Sequence, residues 1–109
     1  MNIRRNTLPR QGFSEFVEQH NLTLVLAEKN KGGWSAHLEG VEIQDGCLLG
    51  SCYGHGHTVR DAVLGLAHAA SLQRLVVDAY KSSRREIMAP LLHLDAKAEN
   101  ELTASAARP

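Results

Sequence analysis

The sequence predicts one α+β domain in which a helix, a three-stranded antiparallel sheet and a second helix are followed by a short strand pair. Three observations support this fold class. Apolar and polar residues alternate in the segment 34–40, and Leu22, Leu24 and Leu26 share one face of the segment 22–29, as in half-buried strands. The segment 47–53 is expected to be the third strand. Turn sequences rich in Gly, Asn and Asp separate these segments, and from residue 58 the apolar spacing changes to a helical period. We expect both helices to pack on one face of the sheet.

Two segments predict the helices. In "GFSEFVEQHN", Phe13 and Phe16 share one face, and Asn21 can end the helix. The second helix begins after Thr58, which forms a capping box with Asp61. Its apolar stripe consists of Val59, Ala62, Val63, Leu66, Ala67 and Ala70.

The strands carry one irregularity. In "WSAHLEG" the inward-facing positions run from Trp34 to Leu38, whereas Val41 and Ile43 have the opposite parity. Gly40 is therefore expected to form a bulge or a bend that resets the register. The hairpin turn "QDGC" leads into "CLLGSCY", and "RLVVDAY" and "REIMAP" predict the final strand pair around the basic turn "KSSRR".

Composition divides the chain into three parts and indicates its cellular compartment. Residues 1–11 are expected to be a flexible basic arm containing Arg4, Arg5 and Arg10, and residues 12–94 to be the domain. Residues 95–109 are small and polar and predict a disordered tail.

No apolar run reaches the ~20 residues of a membrane helix, and the start has no apolar signal region. Two cysteines without a signal indicate reduced thiols in the cytoplasm.

The formal charge is zero, from twelve basic and twelve acidic residues. A protein that binds nucleic acid through its backbone usually carries a basic excess, so this balance argues against that class. It argues equally against a strongly acidic mimic of DNA.

Four potential zinc ligands lie within eleven residues, at Cys47, Cys52, His55 and His57. The two cysteines are five apart in a predicted strand, which directs them to opposite faces. Buried or edge thiols are therefore the preferred interpretation, and we expect no metal and no cofactor.

The "GHGH" segment could hold an anion at a helix start, but it lacks the third glycine of a dinucleotide fingerprint and the lysine of a P-loop. A tight turn from strand to helix explains its glycines better.

Catalysis is not expected from this sequence. A Cys–His pair is the only nucleophile arrangement available, and no third group follows at a recognisable spacing. Paired carboxylates are also missing. We therefore expect a protein that is not an enzyme.

Partner binding is the function that the surface pattern favours. An antiparallel sheet covered on one side leaves its other face for a partner, and here that face would carry Thr23, Val25, His37 and Glu39, with Val41 and Ile43 as further candidates. The residues predicted to bind a partner are Arg84, Arg85, Lys81, His37, Glu39, His55 and His57. The partner would be a protein or a complex, with nucleic acid as an alternative and no membrane. The chain itself would be a monomer or a homodimer.

Three resemblances extend these expectations. The order of helix, three strands and an Ala-rich helix resembles a double-stranded RNA-binding domain, which implies contacts to nucleic acid. That family holds phosphates with lysines at the start of its second helix, where this chain has "HTVRDAV". The pieces "WSAHLEGVEIQDG", "YGHGHTVRDAV", "LVVDAY" and "RREIMAP" are similar to a family of small phage and prophage proteins of unknown function.

The second resemblance covers about residues 13 to 91 and implies binding rather than catalysis. Small phage proteins of this size commonly block or redirect a host complex, as anti-CRISPR proteins do. The resemblance therefore implies such a role here, with a host protein or nucleoprotein complex as the partner, in the cytoplasm of the host. Direct binding of nucleic acid is the first alternative. The strand "W-x-A-x-L" and the helix "T-x-x-x-A" are also similar to HicB-like antitoxins, which supply the second.

Overall fold

The structure is a computed structural model that describes residues 9–106. In chain order its elements are β1 (Arg10–Gly12), α1 (Phe13–Gln19), β2 (Leu24–Glu28), β3 (Trp34–Asp45), β4 (Leu48–Gly56), α2 (Val59–Ala70), β5 (Arg74–Val77), β6 (Arg85–Met88), β7 (Leu91–His93) and α3 (Ala96–Ala106). The fold class is α+β, as the sequence predicts. A five-stranded sheet is antiparallel throughout, and β1 and β7 form a separate parallel pair.

The main sheet is organised around the twelve-residue strand β3. β4 pairs along one edge of β3, while β2 and β5 share the opposite edge. β2 occupies residues 34–38 of β3, β5 occupies residues 41–43, and β6 pairs with β5. The three-stranded order expected from the RNA-binding resemblance is not confirmed, because the C-terminal strand pair joins the main sheet through β5 and makes five strands.

The irregularity predicted at Gly40 is a shift of register within β3, as a β-bulge produces. The register with β4 shifts between His37 and Glu42, and Gly40 has a φ of 72°, which glycine adopts without steric cost. The extra backbone in β3 at this point returns the side chain of Val41 to the buried face of the sheet, where it is 7% exposed. Ile43 packs against the same core. The expectation that Val41 and Ile43 lie on the open face is therefore wrong.

Helix α2 forms the centre of the core. Every residue of its predicted apolar stripe is buried. The side chain of Thr58 accepts a hydrogen bond from the backbone N–H of Asp61 at 3.1 Å, so the helix begins where the sequence predicts. Phe13 and Phe16 of α1 enter the same core, and α1 ends before Asn21, whose φ is 52°.

Both ends of the domain depart from the sequence-based expectation. Arg10 belongs to β1, which pairs with β7, so the arm prediction is wrong at that point; Arg4 and Arg5 lie outside the described residues. The expected disordered tail is wrong for residues 96–106, which form α3. Ala98 and Leu102 of α3 are only 4% and 6% exposed.

Candidate functional site

One face of the main sheet is opposite to the helices, and we call it the open face. All three helices contribute buried residues to the core on the other face. The strand register places on the open face Val25, Ser35, His37, Glu42, Ser51, Tyr53, His55, Arg74, Val76, Glu86 and Met88. This face mixes small hydroxyl residues, charges of both signs and rings.

Three rings form a row on the open face, and we call His37, Tyr53 and His55 the ring row. His37 and Tyr53 are direct neighbours across β3 and β4, and their rings stack with centroids 4.7 Å apart and planes at 29°. The ring of His55 is parallel to that of Tyr53 within 10°, at a centroid distance of 6.2 Å. Tyr53 remains 45% exposed despite these contacts. The row therefore presents π-electron surface, a phenol hydroxyl and imidazole nitrogens to solvent.

Glycines of β4 fix the direction of these rings. A Cβ on Gly54 would lie 2.0 Å from the carbonyl oxygen of Ala62, and a Cβ on Gly56 would lie 2.4 Å from the Cβ of Asp61. Helix α2 thus rests directly on the backbone of β4, and the alternating residues Tyr53 and His55 must point to the other face. The "GHGH" glycines were expected to form a turn, but β4 continues through Gly56. Because Gly54 and Gly56 have no side chains, helix α2 can pack directly against the backbone of β4.

A second feature lies at the edge of β3, where β2 and β5 stop short of each other. The backbone N–H of Glu39 donates to Thr23 O at 2.9 Å, and that of Asp78 donates to Gly40 O, also at 2.9 Å. Between these two bonds is a polar cavity of about 400 Å³, which we call the edge notch. It is lined by Asn21, Leu22, Thr23, Glu39, Gly40, Val77, Asp78, Lys81 and Arg85. Glu39, Lys81 and Arg85, three residues of the predicted binding set, therefore meet here, away from the ring row.

The two arginines of the "KSSRR" turn have different environments. Arg85 is bound to the fold, because its guanidinium Nη2 donates to the backbone carbonyl of His20 at the end of α1. Burial, and then the charge of Arg85, lower the pKa of the His20 imidazole. Arg84 is exposed in the turn, and its backbone N–H donates to Lys81 O at 3.1 Å. The predicted basic cluster therefore divides into a structural arginine and a solvated one.

A third feature lies between the end of β4 and the turn that connects β2 to β3. Here an open cavity of about 260 Å³, which we call the glycine pocket, is lined by Lys29, Gly32, Gly33, His55, Gly56 and His57. His55 belongs to both the ring row and this pocket. The two histidines of "GHGH" are thus brought together with a lysine from another turn.

The cysteines do not join these histidines. Cys47 is exposed in the hairpin turn, whereas Cys52 is buried in the core. Burial raises the pKa of the Cys52 thiol to about 11, which opposes formation of a thiolate. Within residues 9–106, no group of three or more His, Cys, Asp or Glu side chains could hold a metal ion.

Tyr53 is the site residue that sequence reasoning missed. Its spacing of two from His55 does predict a shared strand face. Its contact with His37 depends on the bulge, because the hairpin register that pairs Asp45 with Leu48 would otherwise place His37 opposite Gly56.

Comparison of the chain with protein-family models, with curated proteins and with solved structures finds no match. Within the part of the chain that the structure describes, no helix has the length and apolar character needed to cross a membrane.

Proposed function

We propose that this chain is a non-enzymatic binding protein that docks its open face on a nucleoprotein complex of a bacterial host and inhibits or modulates it, as anti-CRISPR proteins do. The observation that carries the proposal is the ring row. Three stacked rings lie on the face opposite to the helices, with Tyr53 and His55 exposed and His37 half-buried. Tyrosine is among the residues that dominate binding energy at protein interfaces, because it combines apolar area with a polar group.

The surroundings of the ring row favour a protein surface as the partner. Ser35 and Ser51 flank the rings and leave room for an approaching side chain. Further along the face, Glu42 and Glu86 are negative, and Arg74 lies 3.9 Å from Glu86. A surface with both signs of charge complements a protein with the reverse pattern, and charge complementarity gives specificity.

Binding is proposed rather than catalysis because Cys52, the thiol on the same strand as Tyr53 and His55, is unsuited to nucleophilic attack. Attack by a cysteine requires a thiolate within reach of a base. Cys52 is buried and its pKa is raised to about 11, while the histidines of the ring row lie on the opposite face of the sheet.

Direct binding of nucleic acid is a second candidate, in the manner expected from the resemblance to RNA-binding domains. The observation in its favour is the same ring row, since bases stack on exposed rings. Lys29 at the adjacent glycine pocket could meet a phosphate. Glu42 and Glu86 on the open face oppose this mode, because they would repel a phosphate backbone.

Capture from host lysate distinguishes the two candidates. Tagged protein is incubated with lysate of a bacterium that carries an active CRISPR–Cas system, with and without nuclease, and bound proteins are identified by mass spectrometry. We expect a nucleoprotein complex whose protein subunits stay bound after nuclease treatment. Recovery that disappears with nuclease, together with a steep loss of affinity in salt, would favour direct nucleic-acid binding. Recovery of neither proteins nor nucleic acid would contradict both candidates.

A further inference from the structure

We infer that the glycine pocket binds a phosphate group, a ligand that the proposed docking of the open face does not require. Three nitrogen-bearing side chains, those of Lys29, His55 and His57, line one cavity of about 260 Å³. They come from two separate parts of the chain, the turn after β2 and the end of β4. Their convergence is therefore a product of the fold and not of local sequence.

The charge of the pocket selects an anion. The chain as a whole balances twelve basic against twelve acidic residues, yet the six residues lining this pocket include no Asp or Glu. A lysine ammonium supplies three donors and each imidazole supplies at least one. Phosphate oxygens are strong acceptors, and hydrogen bonds with a charged partner are the stronger ones.

The glycines allow close approach to the backbone. Gly32 and Gly33 have φ values of 91° and 87°, a conformation that orders the turn and that other residues rarely adopt. Gly32, Gly33 and Gly56 carry no side chains, so an anion in the pocket can lie close to the backbone, although the N–H of Gly32 itself donates to Lys29 O at 3.0 Å. The donors for the anion are therefore the three side chains, and the glycines supply the space.

Asp61 lies on the other side of the pocket wall at Gly56. A Cβ on Gly56 would meet Asp61 from the side of α2. The backbone N–H of Asp61 donates to the cap residue Thr58 at 3.1 Å, and its carboxylate lies in the first turn of α2, where negative charge is favourable. Asp61 therefore serves the helix and does not line the pocket.

The shared residue His55 relates the pocket to the ring row. A phosphate in the pocket would lie beside His55, whose ring is parallel to that of Tyr53. A phosphate that carries a base could place the base along these rings, because every base has a π-face. Free phosphate and the phosphate of a nucleotide are the two sources of this ligand.

Titration by NMR tests the inference on the full chain. Inorganic phosphate, AMP and adenosine are titrated separately, and the backbone amides of Gly32, Gly33 and Gly56 are followed. We expect saturable shifts with phosphate and with AMP. Lys29→Gln and His57→Gln should each weaken phosphate binding roughly tenfold, as expected for the loss of a charge-assisted hydrogen bond.

Two matched control variants replace a lysine and a histidine that lie outside the pocket. Lys31 lies in the same turn as Lys29 but does not line the cavity, and His68 is exposed on α2. The variants Lys31→Gln and His68→Gln should both bind phosphate as tightly as the wild type does. Tighter binding of AMP than of phosphate would identify a nucleotide as the source, and equal binding would identify the phosphate alone. Adenosine that binds as tightly as AMP, an absence of saturable shifts, or equal losses in the control variants would overturn the inference. These outcomes are independent of whether the open face captures a host complex.

Discussion

At the scale of single residues, Gly54 determines which way the ring row points. It is the position where α2 approaches β4 most closely, since a Cβ there would lie 2.0 Å from Ala62 O and 2.2 Å from Leu66 N. Both obstacles are backbone atoms of a helix, which cannot move independently. Any side chain would therefore separate the helix from the strand.

We predict that Gly54→Ala destabilises the domain by roughly 1–3 kcal/mol or more, as for other overpacked cores. Chemical denaturation followed by circular dichroism measures this change. Gly50→Ala is the matched control in the same strand, because the nearest atom to its Cβ would be 4.0 Å away. Equal losses of stability in the two variants would show that the close helix approach is not the cause.

The two cysteines give a second prediction at this scale. In the native protein at neutral pH, iodoacetamide should modify the exposed Cys47 and spare Cys52, because burial blocks access and raises the pKa of the Cys52 thiol to about 11. Peptide mapping by mass spectrometry after timed labelling reads both sites. In denaturant the two should react alike, and fast labelling of Cys52 without denaturant would contradict the buried placement.

At the scale of elements, the sequence predicts what local chemistry determines and fails where long-range contacts decide. Thr58 marks the start of α2 because a capping side chain acts within one turn. Helix α3 escaped prediction because its sequence is polar except for small residues and Leu102. It is held by packing and by contacts from distant elements, such as the bidentate pair of Arg60 with Glu99, at 2.8 and 2.9 Å.

We predict that Leu102→Ala costs about 2–4 kcal/mol, the range for a buried leucine in a core. Leu102 is 6% exposed and belongs to the main core, whereas Leu48 is 71% exposed. Leu48→Ala should therefore change the stability little. Thermal unfolding of the two variants provides the comparison, and an unchanged transition for Leu102→Ala would mean that α3 does not contribute to the core.

At the scale of the whole molecule, the candidate site arises from strand register. The predicted binding residues do not form one surface. His37 and His55 lie in the ring row, Glu39, Lys81 and Arg85 line the edge notch, and Arg84 stays in its turn. Sequence reasoning identified the irregularity at Gly40 but could not supply the size of the register shift, which decides that Tyr53 and not Gly56 faces His37.

The central claim is that the ring row is the surface through which this chain binds its partner. The most direct measurement compares capture of the host complex, after nuclease treatment, by the wild type, by His37→Ala/Tyr53→Ala and by His93→Ala/Tyr80→Ala. The last variant removes the same two residue types at exposed positions outside the ring row, since Tyr80 is 89% exposed and His93 lies on the exposed side of β7. All three proteins must first show the same thermal unfolding.

We expect the ring-row variant to lose at least roughly tenfold in captured complex, because aromatic anchors carry much of the energy of an interface. The control variant should capture as much as the wild type does. If the ring-row variant captures the same complex in the same amount, the open face is not the binding surface and the proposed mode of action is wrong.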